Sequence, residues 1–290
     1  MNLKYFLVLI FLINFSVFSQ TLTPYTSSVL LEFNMDNGTT KFGTGFFIAD
    51  SSKYGTMIYL VTARHVLGDL DSNGKLIFNN SLLKVTRSSN LKSESNAFEV
   101  INLESSRDGG LLVYHKEEDI AILNIASIKN GITYSPLALD KLSFFKFKVD
   151  LIPAYSKDII LLFKDIPIAA PVYISGYPKT IGLAESPQFD NNKPLVRSGI
   201  ISGFYPKNQT IILDFPAYGG FSGSPVYLKY KEKLKLIGML TERIPYKENG
   251  DIDDLDNSGF SVALSSDIIL SMLAAFKESY DKREHIFIEN

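Results

Sequence analysis

The chain has 290 residues, which suits one large domain or two moderate ones, and 46% of them are hydrophobic, enough for a sizeable core. Its 29 basic and 31 acidic residues leave a formal net charge of −2, so the basic excess of a nucleic-acid-binding or polybasic membrane-binding protein is missing. The absence of cysteine excludes a disulfide framework, a thiolate nucleophile and a metal centre with cysteine ligands.

Residues 1–19 have the pattern of a signal peptide. Lys4 supplies a short positive segment, residues 5–17 are nearly all apolar, and Ser19 offers a small residue for cleavage before Gln20. The apolar segment is short for a spanning helix, although an uncleaved anchor is the alternative. We therefore expect a secreted or periplasmic mature chain without stable membrane insertion. An exported chain without cysteine is more typical of bacteria than of animals.

Most of the remaining chain consists of short, β-rich segments separated by Gly, Asn and Pro. Asn37-Gly38 is a strong signal for a two-residue hairpin, and no strand–helix alternation occurs, so the pattern predicts an all-β protein. Only residues 266–280, near the C-terminus, show a clear helical spacing of apolar residues. The predicted strands cover residues 28–33, 44–49, 57–62, 82–86, 98–103, 120–125, 159–163, 171–175, 195–201, 210–215, 224–230, 234–241 and 260–264.

His65 lies where a general base could act. It ends the segment Tyr-Leu-Val-Thr-Ala-Arg-His just beyond a predicted strand, and a strand end holds a side chain on a rigid backbone beside a cleft. A histidine at such a position is more often structural, so it needs partners before it indicates catalysis. The chain has two other histidines, His115 and His285.

Ser222 and Asp119 are candidates for a nucleophile and for an acid that orients a histidine. Ser222 lies in Tyr-Gly-Gly-Phe-Ser-Gly-Ser-Pro, whose glycines would let the N–H groups of Gly220 and Ser222 point the same way, as an oxyanion requires. Asp119 directly precedes an apolar strand and could be drawn inward to hold a histidine N–H. A simple Gly-Ser-Pro turn and a solvated acidic turn are the structural alternatives.

The order His65, Asp119, Ser222 is that of chymotrypsin, and the chain resembles the trypsin-like (chymotrypsin-fold) serine peptidases, especially their cysteine-free bacterial branch. With weaker similarities elsewhere, this resemblance spans residues 43–264. The patches that carry it are Gly43-Thr-Gly-Phe-Phe-Ile with Leu60-Val-Thr-Ala-Arg-His for the strand pair before the histidine, Asp119-Ile-Ala-Ile-Leu for the aspartate, and Gly220-Phe-Ser-Gly-Ser-Pro for the nucleophile loop.

The resemblance implies an all-β fold of two antiparallel six-stranded β-barrels (chymotrypsin-like) with a C-terminal helix. The first barrel would hold the histidine and the aspartate, and the second barrel would hold the serine. The implied segments are residues 20–140 for the first barrel, 141–157 for a connection, 158–265 for the second barrel, and 266–290 for the helix and tail.

The resemblance also implies a mechanism. Ser222 would attack a peptide carbonyl, His65 would carry the proton, Asp119 would hold the imidazole, and the N–H groups of Gly220 and Ser222 would form the oxyanion hole. The implied partner is a polypeptide substrate. No metal and no cofactor are expected, and the sequence does not indicate the oligomeric state.

Two positions beside the predicted catalytic residues depart from the family. Phe221 replaces an aspartate that in trypsin pairs with a freshly cut N-terminus, so we expect a site that needs no trypsin-style activation. Arg64 replaces a small residue. Because its charge would disfavour a protonated imidazole, we expect its side chain to point outward, away from His65.

The substrate-binding residues are assigned by the same resemblance. The pocket floor would be Pro216, and one wall would be the segment of Thr241, Glu242 and Arg243. The floor offers no carboxylate for a basic side chain, and the wall lacks the histidine of the glutamyl-specific branch. We therefore expect a small or apolar residue on the acyl side of the cleaved bond.

Two other motifs, a calcium-binding loop and an α/β-hydrolase nucleophile motif, match the sequence less well than the peptidase pattern. Asp69-Leu-Asp-Ser-Asn-Gly begins like a calcium loop, but the twelfth position is Asn80 rather than Glu, so a polar hairpin loop is favoured. An α/β-hydrolase would need Gly at position 224, which is Ser, and strand–helix alternation.

The sequence thus predicts an exported serine endopeptidase that works through an acyl-enzyme. A catalytically silent binding protein of this fold and an esterase with the same triad are the alternatives.

Overall fold

A computed structural model describes residues 27–52, 55–88, 96–129, 132–134, 155–179, 188–248 and 251–288. The predicted signal peptide at residues 1–19 and its cleavage site lie outside the described residues, as does most of the predicted connection at 141–157. The described part contains two antiparallel β units and a long C-terminal helix. None of its helices is long and apolar enough to cross a membrane.

The first half of the chain forms a curled antiparallel sheet and a small hairpin. The strands are β1 (Ser28–Asn34), β2 (Thr40–Ser52), β3 (Gly55–Thr62), β4 (Gly68–Leu70), β5 (Leu76–Phe78), β6 (Leu82–Ser88), β7 (Asn96–Asn102), β8 (Leu112–Tyr114), β9 (Ala121–Lys129), β10 (Ile132–Tyr134) and β11 (Tyr155–Ser156). The sheet order is β10-β9-β3-β2-β1-β6-β7, with β8 paired to β9 and β11 to β2, whereas β4 and β5 form the hairpin. Successive residues of the central strand β1 are buried because both of its faces are covered.

The second half closes into a six-stranded barrel. Its strands are β12 (Pro171–Gly176), β13 (Leu195–Tyr205), β14 (Thr210–Asp214), β15 (Pro225–Tyr230), β16 (Lys233–Glu248) and β17 (Asp251–Ser265). They are arranged as β12-β13-β14-β17-β16-β15, and β15 pairs again with β12. Side chains alternate between the interior and solvent, as Val172 and Ile174, which are buried, and Tyr173, which is exposed, illustrate.

The helices are α1 (Arg64–Leu67), α2 (Leu103–Asp108) and α3 (Ser266–Ile288). Although α3 follows the second barrel, its apolar face packs on the core of the first sheet through residues such as Ile269, Met272 and Phe276. The Phe276 ring meets the Tyr59 ring edge-on, with 5.2 Å between the centroids. The C-terminal helix therefore joins the two units.

The predicted fold class is confirmed, with two differences. Within the described residues, the first unit is an open, curled sheet rather than a closed six-stranded barrel. The prediction of a strand at residues 159–163 is wrong, because this segment runs from the end of the 3-10 turn Lys157–Ile159 to the start of the 3-10 turn Phe163–Asp165. Its apolar residues serve contact with the barrel: Leu161 is buried, and its N–H donates to the Leu236 carbonyl at 3.0 Å.

A buried carboxylate fastens α3 to the first sheet. Asp50, on β2, is 4% exposed, and its Oδ1 lies 2.9 Å from Lys157 Nζ while its Oδ2 pairs with Lys277 Nζ of α3. Lys277 also donates to the Ser51 carbonyl at 3.1 Å. The Asp50 carboxylate raises the pKa of Lys157, as expected for a lysine that gains a hydrogen-bonded anion.

We expect Lys277→Met to lower the free energy of unfolding by about 1–3 kcal/mol, because it leaves the buried Asp50 carboxylate with one cation instead of two. Urea unfolding measures this loss. The control is a double-mutant cycle with Asp50→Asn, in which the combined loss should be smaller than the sum of the single losses. Strictly additive losses would contradict the pairing.

Candidate active site

The sheet register brings His65 and Asp119 together. β3 ends at Thr62, and His65 follows in the first turn of α1. β9 runs antiparallel to β3 with Ala121 opposite Thr62, so Asp119, two residues earlier, lies beside α1. His65 Nδ1 is 2.5 Å from Asp119 Oδ2, and the His65 backbone N–H donates to Asp119 Oδ1 at 2.9 Å.

This pairing determines where the imidazole carries its proton. An ionised carboxylate only accepts hydrogen bonds, so His65 Nδ1 must hold the hydrogen, and Nε2 of the neutral ring is left with a free lone pair. Burial of Asp119 raises its pKa, but the hydrogen bonds from His65, the charge of the imidazole when it is protonated and the charge of Arg64 outweigh burial and hold the pKa below the usual 3.8. The aspartate is therefore ionised at neutral pH.

Arg64 is turned into the loop that carries Asp119. Its Nη1 donates to the carbonyls of His115 at 2.7 Å, Lys116 at 2.9 Å and Glu118 at 3.1 Å. We expected the side chain to point outward, away from the imidazole. The guanidinium instead bonds to loop carbonyls, two of them in part-buried hydrogen bonds and that of Lys116 in an exposed one. The charge of Arg64 thus acts on Asp119 and stabilises its ionised form.

His115 holds the same loop together through hydrogen bonds to its backbone. The ring Nδ1 accepts the backbone N–H of Glu117 at 3.2 Å and of Glu118 at 2.9 Å. The backbone N–H of His115 donates to the Ile120 carbonyl at 3.0 Å. No local feature of the sequence distinguishes this histidine from a surface residue, so no role was predicted for it. Its position four residues before the candidate aspartate is the signal that could have revealed it.

Two consecutive tight turns shape the loop around Ser222. The Phe221 N–H donates to the Tyr218 carbonyl at 3.0 Å, and the Ser224 N–H donates to the Phe221 carbonyl at 2.9 Å. Gly220 and Gly223 occupy the third position of these turns with φ of 99° and 88°, which side chains disfavour. A Cβ at Gly220 would also lie 2.1 Å from the Tyr177 carbonyl oxygen. The glycine pattern recognised in the sequence is therefore required by the fold.

The backbone groups of this loop are all bonded except two. Within the described residues, the N–H groups of Gly220 and Ser222 make no hydrogen bond, whereas the other groups of the four peptide planes from 219 to 223 have partners. Those pairs are Lys179 N–H to Gly219 O, Thr44 Oγ1 to Gly220 O, Phe221 N–H to Tyr218 O, Ser224 N–H to Phe221 O, Thr44 N–H to Ser222 O, and Gly223 N–H to Leu240 O.

Ser222 lies beside the strand that leads to His65, but its hydroxyl is directed elsewhere. The Thr44 N–H holds the Ser222 carbonyl at 2.9 Å, and Thr62, three residues before His65, donates its hydroxyl to the Thr44 carbonyl at 2.7 Å. Ser222 Oγ itself donates to the Thr241 carbonyl at 3.4 Å. Among the described residues, no hydrogen bond joins Ser222 to His65.

Phe221 anchors the nucleophile loop in the core of the second barrel. The side chain is fully buried, and its ring meets that of Phe215 edge-on with 5.5 Å between centroids. An aromatic ring thus occupies the position of the trypsin aspartate. Burial of this ring fixes the loop by packing, without an ion pair.

Of the predicted substrate-binding residues, Thr241 contacts the loop directly, because its carbonyl accepts Ser222 Oγ at 3.4 Å. The Pro216 carbonyl accepts Arg197 Nη1 at 2.8 Å. Thr241 is buried, and Glu242 is exposed. Arg243 pairs through its backbone on β16, but its side chain lies outside the described part.

Arg197 was missed by the sequence analysis. Its guanidinium stacks between the rings of Phe215, at 5.0 Å, and Tyr218, at 5.2 Å. It therefore packs against the segment that includes Pro216, and no local motif marks it.

No cluster of three or more metal-ligating acidic or histidine side chains occurs among the described residues. The segment that resembles a calcium loop is the turn of the β4–β5 hairpin. Asp71 Oδ1 there accepts the N–H groups of Asn73 and Lys75, each at 2.8 Å. Its carboxylate thus serves the turn, which is the polar hairpin loop that the sequence favoured.

Three solved structures with a similar fold are distant in sequence. An HtrA-type protease, AlgW with tripeptide, is 16% identical and covers 87% of this chain, with a TM-score of 0.49; this chain spans 60% of it. The thermostable serine protease AL20 from an extremophilic microorganism is 16% identical over 87% of this chain and 98% of its own, with a TM-score of 0.50. Protease Anisep from Arthrobacter nicotinovorans is 12% identical over 84% and 91%, with a TM-score of 0.47.

Sequence comparison gives the assignment at the level of the family. No curated protein matches the chain. The family model of the trypsin-like peptidase domain matches residues 43–239, which is more than half of the chain and includes both the His65–Asp119 pair and the Ser222 loop. The chain therefore belongs to the trypsin-like peptidase domain family.

Proposed function

We propose that the protein is an exported serine endopeptidase in which His65, Asp119 and Ser222 form the catalytic triad. The observation that carries this proposal is the hydrogen-bonded His65–Asp119 pair next to the Ser222 loop, in which the N–H groups of Gly220 and Ser222 have no partner among the described residues. The family membership supports peptide hydrolysis as the reaction. The substrate is a polypeptide.

The first step requires Ser222 to rotate about its Cα–Cβ bond, from the Thr241 carbonyl towards His65 Nε2. Such a change of staggered rotamer is small for a half-exposed serine. The hydroxyl oxygen then bonds to the peptide carbonyl carbon while Nε2 takes its proton, and Asp119 stabilises the imidazolium. The N–H groups of Gly220 and Ser222 bind the oxyanion, each contributing about 3 kcal/mol.

The second half of the reaction returns the proton. The imidazolium of His65 protonates the leaving amine as the peptide bond breaks, which leaves an acyl-enzyme on Ser222. A water then gives its proton to His65 and attacks the ester, and the acid product leaves as Ser222 regains its hydrogen. Pro216 and the segment 241–243 bind the acyl side of the substrate, where we propose a small or apolar residue.

Export is a separate proposal that rests on residues 1–19 alone. In a bacterial host, the mature protein should appear outside the cytoplasm with Gln20 as its first residue. N-terminal sequencing of the exported protein tests this, and retention of the full-length chain in the cytoplasm would contradict it.

A fluorophosphonate probe tests the catalytic proposal. Wild-type protein should be labelled, whereas Ser222→Ala should not. Ser224→Ala is the matched control, because it removes a buried hydroxyl two residues away that has no partner among the described residues. It should be labelled like wild type.

The outcomes of this experiment separate the alternatives. Cleavage of denatured protein by the labelled enzyme supports an endopeptidase, and cleavage of small esters alone would support the esterase. A folded wild type that takes no label and cuts neither substrate would favour the silent binding protein.

His115 should influence activity through the loop of Asp119. We expect His115→Ala to lower kcat/KM about 10-fold, because two loop N–H groups lose their acceptor and Asp119 becomes less precisely placed. His115→Asn should retain most activity, since an Asn oxygen accepts the N–H groups two and three residues ahead. Steady-state kinetics on one peptide measures both, and equal losses would contradict the acceptor role.

A further inference from the structure

We propose that the Thr44 hydroxyl is a positioning group that holds the oxyanion-binding turn from the opposite β unit. This inference rests on the proposed function, since it concerns how the donors of that site are kept in place. Thr44 lies on β2 of the first sheet, while the turn belongs to the second barrel. The side chain is fully buried.

Thr44 makes four hydrogen bonds at the junction of the two units. Its Oγ1 donates to the Gly220 carbonyl at 2.6 Å and accepts the Tyr177 N–H at 3.1 Å. Its N–H donates to the Ser222 carbonyl at 2.9 Å, and its carbonyl accepts the Thr62 hydroxyl at 2.7 Å. Every polar group of the residue is therefore in use, and the donor to Gly220 cannot turn away without losing a partner.

The bond to Gly220 acts on the peptide plane that lies between the two unpaired donors. The N–H of Gly220 belongs to the plane before it, and the N–H of Ser222 belongs to the plane after Phe221. The intervening plane is fixed at its oxygen by Thr44 and at its nitrogen by the Tyr218 carbonyl. Its orientation sets the angle between the two N–H groups, and a pair of donors is effective only when both point to one oxyanion position.

The Thr44 hydroxyl makes both side-chain bonds at this place. Valine has nearly the shape of threonine but no hydroxyl, so Thr44→Val leaves the Gly220 carbonyl and the Tyr177 N–H unpaired and buried. Thr44→Ser keeps the hydroxyl. Thr86→Val is the matched control, because Thr86 is also buried and donates its hydroxyl once, to Glu32 at 3.1 Å, but it lies on β6 away from the loop.

The test combines kinetics with hydrogen–deuterium exchange of the segment 218–224. We expect Thr44→Val to lower kcat about 10- to 100-fold with little change in KM. It should speed exchange in 218–224 and at Tyr177, which loses its acceptor, while exchange elsewhere in the two units is unchanged. Thr44→Ser should restore kcat to within about threefold. Thr86→Val should leave both measurements near wild type.

Two results would overturn the inference. If Thr44→Val matched Thr86→Val in kcat and in exchange, the hydroxyl would not position the turn. If exchange rose throughout both units, Thr44 would have only a general structural role. A wild type that neither reacts with the probe nor cleaves peptide refutes the proposed function instead, and exchange in 218–224 then still decides whether the hydroxyl holds the turn.

Discussion

Asp119→Asn should lower kcat about 10⁴-fold and leave KM nearly unchanged. The asparagine carbonyl oxygen can still accept the His65 backbone N–H, as Asp119 Oδ1 does at 2.9 Å. Its NH₂ group then faces His65 Nδ1 and can only donate to it. The imidazole must therefore carry its hydrogen on Nε2, where it cannot accept the proton of Ser222.

The control for this variant is Glu117→Gln. It removes one negative charge from the same loop, two residues away, but the Glu117 side chain is exposed. Its kcat should stay within about twofold of wild type. Steady-state kinetics on a single peptide substrate compares the two variants, and a similar loss in both would indicate a charge effect rather than a reversed tautomer.

Asp119→Asn should also change how the free energy of unfolding depends on pH. The folded-state pKa of Asp119 is below the usual 3.8, so its ionised form stabilises the fold at any pH above that value, and this contribution is lost as the pH falls through the depressed pKa. Urea unfolding should show wild type more stable than Asp119→Asn at pH 7 and a shrinking difference below pH 3.8. A difference that does not change with pH would contradict the lowered pKa.

The periodic parts of the fold could be predicted from sequence because burial alone determines them. Alternating or continuous apolar segments were recognised as strands at residues 57–62 and 171–175, within one or two residues of β3 and β12. Three-residue strands such as β4, β5 and β8 are too short to show a period. The segment 159–163 is apolar because it packs against the barrel, and hydrophobicity does not distinguish such contact from a strand.

Turn geometry was predicted less well than turn position. Asn37-Gly38 does lie in the hairpin between β1 and β2, but the loop is longer than two residues, since the Met35 N–H pairs with the Thr39 carbonyl. Gly38 takes a φ of 79° after a turn closed by its own N–H to the Met35 carbonyl. Glycine suits both types of hairpin loop, so the dipeptide marks the bend without fixing its length.

The sequence marked the turns around Ser222 through a local motif, but it did not mark the contacts between residues far apart in the chain. Glycine spacing pointed to the turns around Ser222, and their positive φ values explain why. Thr44 is separated from its partner Gly220 by 176 residues, and Arg197 meets Pro216 only in the closed barrel. No pattern in one sequence reports such pairings, because they arise when the two β units pack.

Phe221→Ala should be the most destabilising single truncation near the site, lowering the free energy of unfolding by about 3–5 kcal/mol. The ring is fully buried in the core of the second barrel, so its loss removes apolar contact and leaves a cavity beside Phe215. Phe221→Leu fills most of that space and should cost only about 1–1.5 kcal/mol. Urea unfolding at pH 7 measures both.

The variant also tests whether packing replaces the trypsin ion pair. Phe221 lies between the two unpaired N–H groups, so a mobile residue at this position should misplace them even in molecules that remain folded. We expect the folded fraction of Phe221→Ala to react with a fluorophosphonate about 10²-fold more slowly than wild type, and Phe221→Leu to stay close to wild type. Full reactivity in a destabilised Phe221→Ala would mean that hydrogen bonds alone hold the turn, and that the buried ring serves only the stability of the barrel.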